Sequence, residues 1–214
     1  MRILLVILFV MASNSYAETK QGVLLDCENS IALQKKYDGL IHIARINEKK
    51  QEYFDRASYK LLSELNLDRL LKILLEDQVV DFKLAGIHLL LIDTKGYMKS
   101  NPEVMSVVKN YQDRIKLYNP AYDVYQVGSI PDKPVLGPYL VDKYKWMINS
   151  NNSLKDIKST AILPLNFNGN LKGALILLSK DVKRYQPTLG TDFLEHYAIR
   201  LQISLENSFA YINQ

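Results

Sequence analysis

The stretch "STAILPLNFNGNLKGALILLS", Ser159 to Ser179, holds two apolar runs on either side of Asn168-Gly169. Asn-Gly is the pair best suited to a two-residue type I′ turn, whose twist matches that of the strands it joins. The spacing predicts a β-hairpin, with strands at Thr160 to Phe167 and Asn170 to Leu178. A hairpin requires antiparallel pairing, so the helices of this chain cannot all be crossovers of a parallel sheet.

Upstream, "KLAGIHLLLID", Lys83 to Asp93, is apolar almost throughout and predicts a largely buried strand. A turn follows at Gly96. Asn101-Pro102-Glu103 opens a helix, with Pro102 at its first position, and that helix is expected to run to about Tyr118. "AYDVYQVG" and "KPVLGPYLV" suggest weaker strands, broken by Gly128, Pro131, Pro134 and Pro138, as at a sheet edge. The last helix is expected from Asp192, with Leu194, Ala198, Leu201, Leu205, Ser208 and Ile212 on one stripe. The fold class is therefore α+β: an antiparallel sheet with flanking helices, preceded by a long N-terminal helix.

That helix occupies the region from Glu28 to Glu64, which has no proline and a single glycine, Gly39. Leu33, Tyr37, Leu40, Ala44, Asn47, Gln51, Phe54, Ser58, Leu61 and Leu65 recur at alternating steps of four and three, the rhythm of a coiled coil. A polar residue such as Asn47 in that seam costs stability but fixes register and partner number. A homodimer is one reading. A single amphipathic helix lying on its own domain is the other. Asn66 and Asp68 offer a cap for a second helix from Leu67 to about Val79.

"MRILLVILFVMASNSYA" has the parts of a secretory signal: Arg2, the apolar run Ile3 to Ala12, and Ser15 and Ala17 at small-residue positions. The run is shorter than the roughly 20 residues a membrane span needs, so no span is expected in a mature chain beginning at Glu18. Three parts are thus expected: a leader over 1–17, a long helix over 18–65 and a globular domain over 66–214. The leader implies export to the periplasm.

With 214 residues, of which 48% are hydrophobic, the chain can bury a core. Its net charge of +4 comes from scattered lysines, and it carries neither zinc-finger spacing nor a nucleic-acid recognition motif, so no nucleic-acid partner is expected. The single cysteine, Cys27, excludes a disulfide within one chain and a cysteine-rich zinc site. The three histidines, His42, His88 and His196, have no metal-binding spacing. Neither a metal nor a cofactor is expected. No Ser-His-Asp or paired-carboxylate pattern is recognisable, and catalysis is not expected.

The candidate site is "SKDVKRYQPTLGTDFLEHY", Ser179 to Tyr197. Its structural reading is a strand end, a turn and a helix start. Arg184 pairs with Asp181 or Asp192, Tyr185 packs under the sheet, and Asp192 with Glu195 forms a capping box. Its functional reading has Arg184, Thr191 and the helix N-terminus that opens at Asp192 hold an anionic group, with Asp192 among the candidate ligand-binding residues. Tyr97, Tyr139 and Trp146 on the intervening segments are candidates to line an aromatic pocket for a small molecule.

"STAILPL", "GALILLSKD", "KRYQP" and "LGTDFLEHYA" follow one another in order, with "GLIHIARINEKKQEYF" and "LLSELNLDRLLKILLEDQVVDFKLAG" upstream. Together they resemble a GAF-like family of uncharacterised bacterial proteins, domain-of-unknown-function family four-eight-four, over roughly Leu24 to Ser208. Leu178 stands where the family usually has glycine. The resemblance implies a GAF sheet, a long N-terminal helix and a small-molecule pocket on one face of the sheet. It points to the cytoplasm, against the export-like leader, and it lends no biochemical activity. A non-catalytic ligand-binding or sensory module is the first functional expectation. A structural protein that dimerises through its long helix is the alternative.

Overall fold

The structure is a computed structural model that describes residues 2–93, 96–118, 130–138, 144–148, 156–167 and 171–212. The chain divides into two units, residues 1–52 and 53–214.

The first unit lies within helix α1, Arg2–Leu62. Its seam positions Leu33, Tyr37 and Leu40 are 69%, 58% and 65% exposed, and Ile31 and Ile43 are exposed as well. Among the described residues, no helix is long and apolar enough to cross a membrane.

The second unit begins with the last turns of α1. Here the same stripe enters a core: Ala57, Ser58 and Leu61 are buried. The Ser58 hydroxyl donates to the Phe54 carbonyl four residues back, which satisfies it inside the core. Asn66 caps the next helical stretch, accepting the Arg69 N–H at 3.0 Å. That stretch comprises α2 (Leu67–Lys72), a π-helical turn (Ile73–Asp77) and α3 (Gln78–Asp81).

Strand β1 is Gly86–Asp93, buried along nearly its whole length as its apolar run predicts. Asp93 ends it, and its carboxylate accepts the Met98 N–H at 2.7 Å at the start of the short helix α4, Tyr97–Ser100. Helix α5, Pro102–Asn110, starts as expected: the Asn101 side chain accepts from the Glu103 and Val104 amides, and Pro102 opens the first turn. It stops short of the expected Tyr118. Ile115–Tyr118 is instead strand β2, which pairs in parallel with β1. The free edge of β1 outweighs the helical tendency of that segment, the tertiary override to which short apolar runs are prone.

Strand β3, Val135–Pro138, is a short edge strand, consistent with its prolines. The expected strand over 121–128 lies outside the described residues. The hairpin forms as β4 (Ser159–Asn166) and β5 (Leu171–Ser179), antiparallel. Its register pairs Asn166 with Lys172, one residue longer than a two-residue Asn168-Gly169 turn allows. This register sets Gly173 opposite Leu91 and Leu165. A Cβ at Gly173 would lie 2.5 Å from the Leu90 carbonyl oxygen and 3.2 Å from the Phe167 ring, so the position admits only glycine. Helix α6, Asp192–Ile212, completes the unit.

The five strands run in the order β2-β1-β5-β4-β3. The sheet is mixed rather than wholly antiparallel: β1–β5, β5–β4 and β4–β3 are antiparallel, whereas α4 and α5 carry the chain from β1 back to a parallel β2. Pro164 falls beyond the end of the β3 pairing, where β4 is itself the sheet edge and a missing N–H is tolerated.

Alternation sends neighbouring side chains to opposite faces. Leu89, Leu91, Leu163, Leu165, Leu175 and Leu177 join one core with the end of α1, α2, α5 and α6. Leu90, Ile92, Ile162, Ala174, Ile176 and Leu178 join a second, smaller core with Tyr144, Met147, Ile148 and Ile157. The first is the helix face of the sheet and the second is its loop face.

Candidate functional site

The turn after β5 is built by its own hydrogen bonds. The Ser159 hydroxyl donates to the Asp181 carbonyl at 2.6 Å, and the Asp181 N–H donates to the Ser179 hydroxyl at 3.1 Å. The Asp181 carboxylate accepts the Lys183 N–H at 2.9 Å. Arg184 lies over the Tyr185 ring, 5.6 Å from its centroid. Tyr185 is buried in the helix-face core. Burial pushes the phenol of Tyr185 up, and the Arg184 guanidinium partly opposes this.

The helix start differs from expectation by one residue. The Thr191 carbonyl accepts the Glu195 N–H at 2.9 Å, the first α-helical bond, so Thr191 is the cap. Its hydroxyl donates to the Glu195 carboxylate at 2.7 Å. Asp192 stands inside the first turn, where its charge favours the positive end of the helix dipole but its side chain is past the capping position. The serine and threonine hydroxyls, the turn residues and the buried ring thus account for the segment as a strand-to-helix connection.

Trp146 lies on the other face of the sheet. It sits in a 3₁₀ turn, Lys145–Met147, and packs against the loop-face core. Its ring meets the edge of Tyr118 at a centroid distance of 5.5 Å and an interplanar angle of 60°. The candidate residues therefore do not converge: Tyr185, between Arg184 and Thr191, belongs to the helix-face core, whereas Trp146 belongs to the loop face. Tyr139 and the side chain of Tyr97 lie outside the described residues.

The loop face carries polar groups that the sequence reading passed over. Lys116 on β2 is paired with Leu90, and its ammonium donates to the Trp146 main-chain carbonyl. Partial burial lowers the pKa of Lys116. His88 is two residues before Leu90 on the same face of β1 and is buried. Desolvation, with a smaller contribution from the Arg114 guanidinium, brings its pKa down to about 4, so it is neutral at pH 7. Among the described residues, the buried Trp146 indole N–H and Thr160 hydroxyl have no hydrogen-bond partner. The signal that could have found these positions was alternation: in "GIHLLLID" and "IKLY", His88 and Lys116 are polar residues at inward positions of apolar strands.

Among the described residues, no group of three or more His, Cys, Asp or Glu side chains is placed to hold a metal. No curated protein matches the chain. Among solved structures, it is similar to the GAF domain of a phosphoenolpyruvate-protein phosphotransferase from Acinetobacter. The identity is 14%, covering 76% of this chain and 95% of that one, with a TM-score of 0.48. The chain matches the family described as "Protein of unknown function, DUF484" over residues 21–210, nearly its whole length, and it belongs to that family.

Proposed function

We propose that the chain is a non-catalytic, GAF-like module that binds a small molecule on the loop face of its sheet. The GAF-like part of this reading rests on the sequence resemblance. The binding part is supported by the buried, unpartnered indole N–H of Trp146, the same residue whose main-chain carbonyl holds the half-buried ammonium of Lys116. A buried donor left without an acceptor costs about 1–3 kcal/mol, and a binding site is where a fold sustains such a cost. Native mass spectrometry of the full chain, purified without denaturation, tests it. A bound small molecule that dissociates on activation is the expected result. A bare chain, together with no thermal stabilisation across a library of both charged and uncharged metabolites, defeats the reading.

A second reading is favoured by a different observation. The exposed stripe Leu33–Tyr37–Leu40 continues a seven-residue rhythm through Ala44, Asn47 and Gln51. Identical stripes in register are self-complementary, and Asn47 would fix the register of a two-stranded pair. On this reading the protein is an interaction module that dimerises through α1 and binds no ligand. Sedimentation velocity separates the two. A dimer that Leu33→Glu with Leu40→Glu turns into a monomer supports self-association, and a monomeric parent chain sinks it.

A further inference from the structure

The inference here rests on the ligand-binding reading and names the chemistry of the ligand. At the β2 end of the loop face the Tyr118 and Trp146 rings meet, and the Lys116 ammonium reaches the main chain of Trp146. The Trp146 N–H can only donate, and it has no acceptor among the described residues. The Lys116 ammonium has three donor hydrogens and no acceptor capacity, and the Trp146 main-chain carbonyl can take one of them. Tyr118 sets its ring edge-to-face with the indole, which makes an aromatic wall. Tyr118 and Trp146 pack against the apolar core that contains Leu90, Ile92 and Met147. The unmet capacity is therefore all of one kind: a neutral donor and a cationic donor, at one turn, against aromatic rings. A hydrated inorganic anion would leave the aromatic wall without a partner, and an uncharged ring would leave the ammonium without one.

We propose that Lys116, Trp146 and Tyr118 form a subsite for a small aromatic carboxylate. Its oxygens accept from the Trp146 N–H and the Lys116 ammonium, and its ring lies against Tyr118 and Trp146. Lys116 supplies the charge selection and Trp146 the orientation.

Trp146 is the only tryptophan in the chain, so its emission reports on the subsite directly. The probe is benzoate, titrated into the full chain, with benzyl alcohol as its uncharged counterpart. Benzoate should change the tryptophan emission saturably, and benzyl alcohol should bind at least about tenfold more weakly, the scale of one charge-assisted hydrogen bond. Lys116→Gln should weaken benzoate binding by about the same factor, and Lys116→Arg should restore most of it. Lys116 is only half-buried, and equal melting curves for the three chains show that the comparison is between folded proteins. The absence of a saturable change overturns the proposal. So does equal binding of benzoate and benzyl alcohol, or unchanged binding by Lys116→Gln. If these fail while native mass spectrometry finds an uncharged molecule bound, the anion assignment alone falls. If nothing is bound in either experiment, both readings fall.

Discussion

The two faces of the sheet come from the same strands and are finished differently. On the helix face, buried polar groups have been given partners. Gln78 is fully buried, yet its amide donates to the Ala57 carbonyl at 3.1 Å and its oxygen accepts the Tyr197 hydroxyl. The buried Ser204 hydroxyl donates to the Arg200 carbonyl, and at the rim the partly exposed Arg200 pairs with Asp55. Phe54, Phe82 and Tyr197 meet edge-on or tilted within 6.0 Å, tying the end of α1 to α6. On that side, the Ser208 hydroxyl is the orphan among the described residues. Among the described residues, the loop face is covered by a short turn and single residues. It keeps a neutral histidine, a half-buried ammonium and two unpartnered polar groups. A face satisfied internally is a structural surface, and one that is not is where a ligand can act.

The largest expected effect breaks both faces at once. Gly173→Ala drives a methyl group into the backbone of β1, which cannot yield as a flexible side chain can. A loss of about 3 kcal/mol is expected, at the upper end of overpacking costs, or failure to fold. A urea melt measures it, and a variant as stable as the parent would mean that β1 and β5 are not so closely apposed.

Acid should act through the loop face. His88 has a folded pKa of about 4 against the ordinary histidine value of 6.5. Between those values the unfolded chain binds the proton and the folded chain does not, so stability falls as pH falls through that window. Above pH 6.5 this group contributes no pH dependence. Across the whole window the loss is about 3 kcal/mol. His88→Leu should flatten the stability curve between pH 4 and 6.5, measured by urea melts at each pH. An unchanged slope would assign the acid sensitivity elsewhere.

Much of this contrast was open to reading in the sequence, and the reasons for the misses are local. The hairpin, β1 and the capped starts of α2 and α5 carry strong short-range signals, and they form where those signals lie. Strand β2 does not announce itself: "IKLY" is a strand only because β1 offers it an edge. The register of β4 and β5 sets Gly173 against the backbone of β1, and it differs by one residue from what the Asn-Gly pair alone predicts. For the site, sequence proximity misled. Arg184, Thr191 and Asp192 are close along the chain and are used up in a turn and a cap. His88, Lys116, Trp146 and Thr160 come from four separate segments, and only the sheet gathers them on one face.

The contrast between the faces also predicts a difference in sign. Tyr197→Phe removes the hydroxyl that satisfies Gln78 and leaves a buried amide oxygen short of a donor. It should cost about 1–2 kcal/mol. Thr160→Val keeps the shape and removes a buried hydroxyl that has no partner among the described residues. It should be neutral or stabilising, by up to about 1 kcal/mol. Thermal melts of the two variants decide the matter. If both are destabilised alike, the Thr160 hydroxyl is satisfied in solution and the contrast between the two faces fails.

The smallest effects lie at the start of α6. Thr191 and Asp192 are neighbours with different work. Thr191 supplies the carbonyl for the first helical bond, and its hydroxyl holds the Glu195 carboxylate over the helix end. Truncating it to alanine removes the cap side chain and frees that carboxylate, for a loss of about 1 kcal/mol. Asp192 contributes only its charge to the dipole, and it is exposed and screened. Asp192→Ala should therefore cost about 0.5 kcal/mol or less, and the difference should shrink further in 1 M salt. A cap is insensitive to salt in this range, so Thr191→Ala should keep its full effect. If Asp192→Ala proves the more costly of the two and salt does not diminish it, Asp192 is the cap and the helix begins one residue later. If either substitution spares stability but abolishes benzoate binding, the ligand is held at the helix start, and the loop face loses its claim.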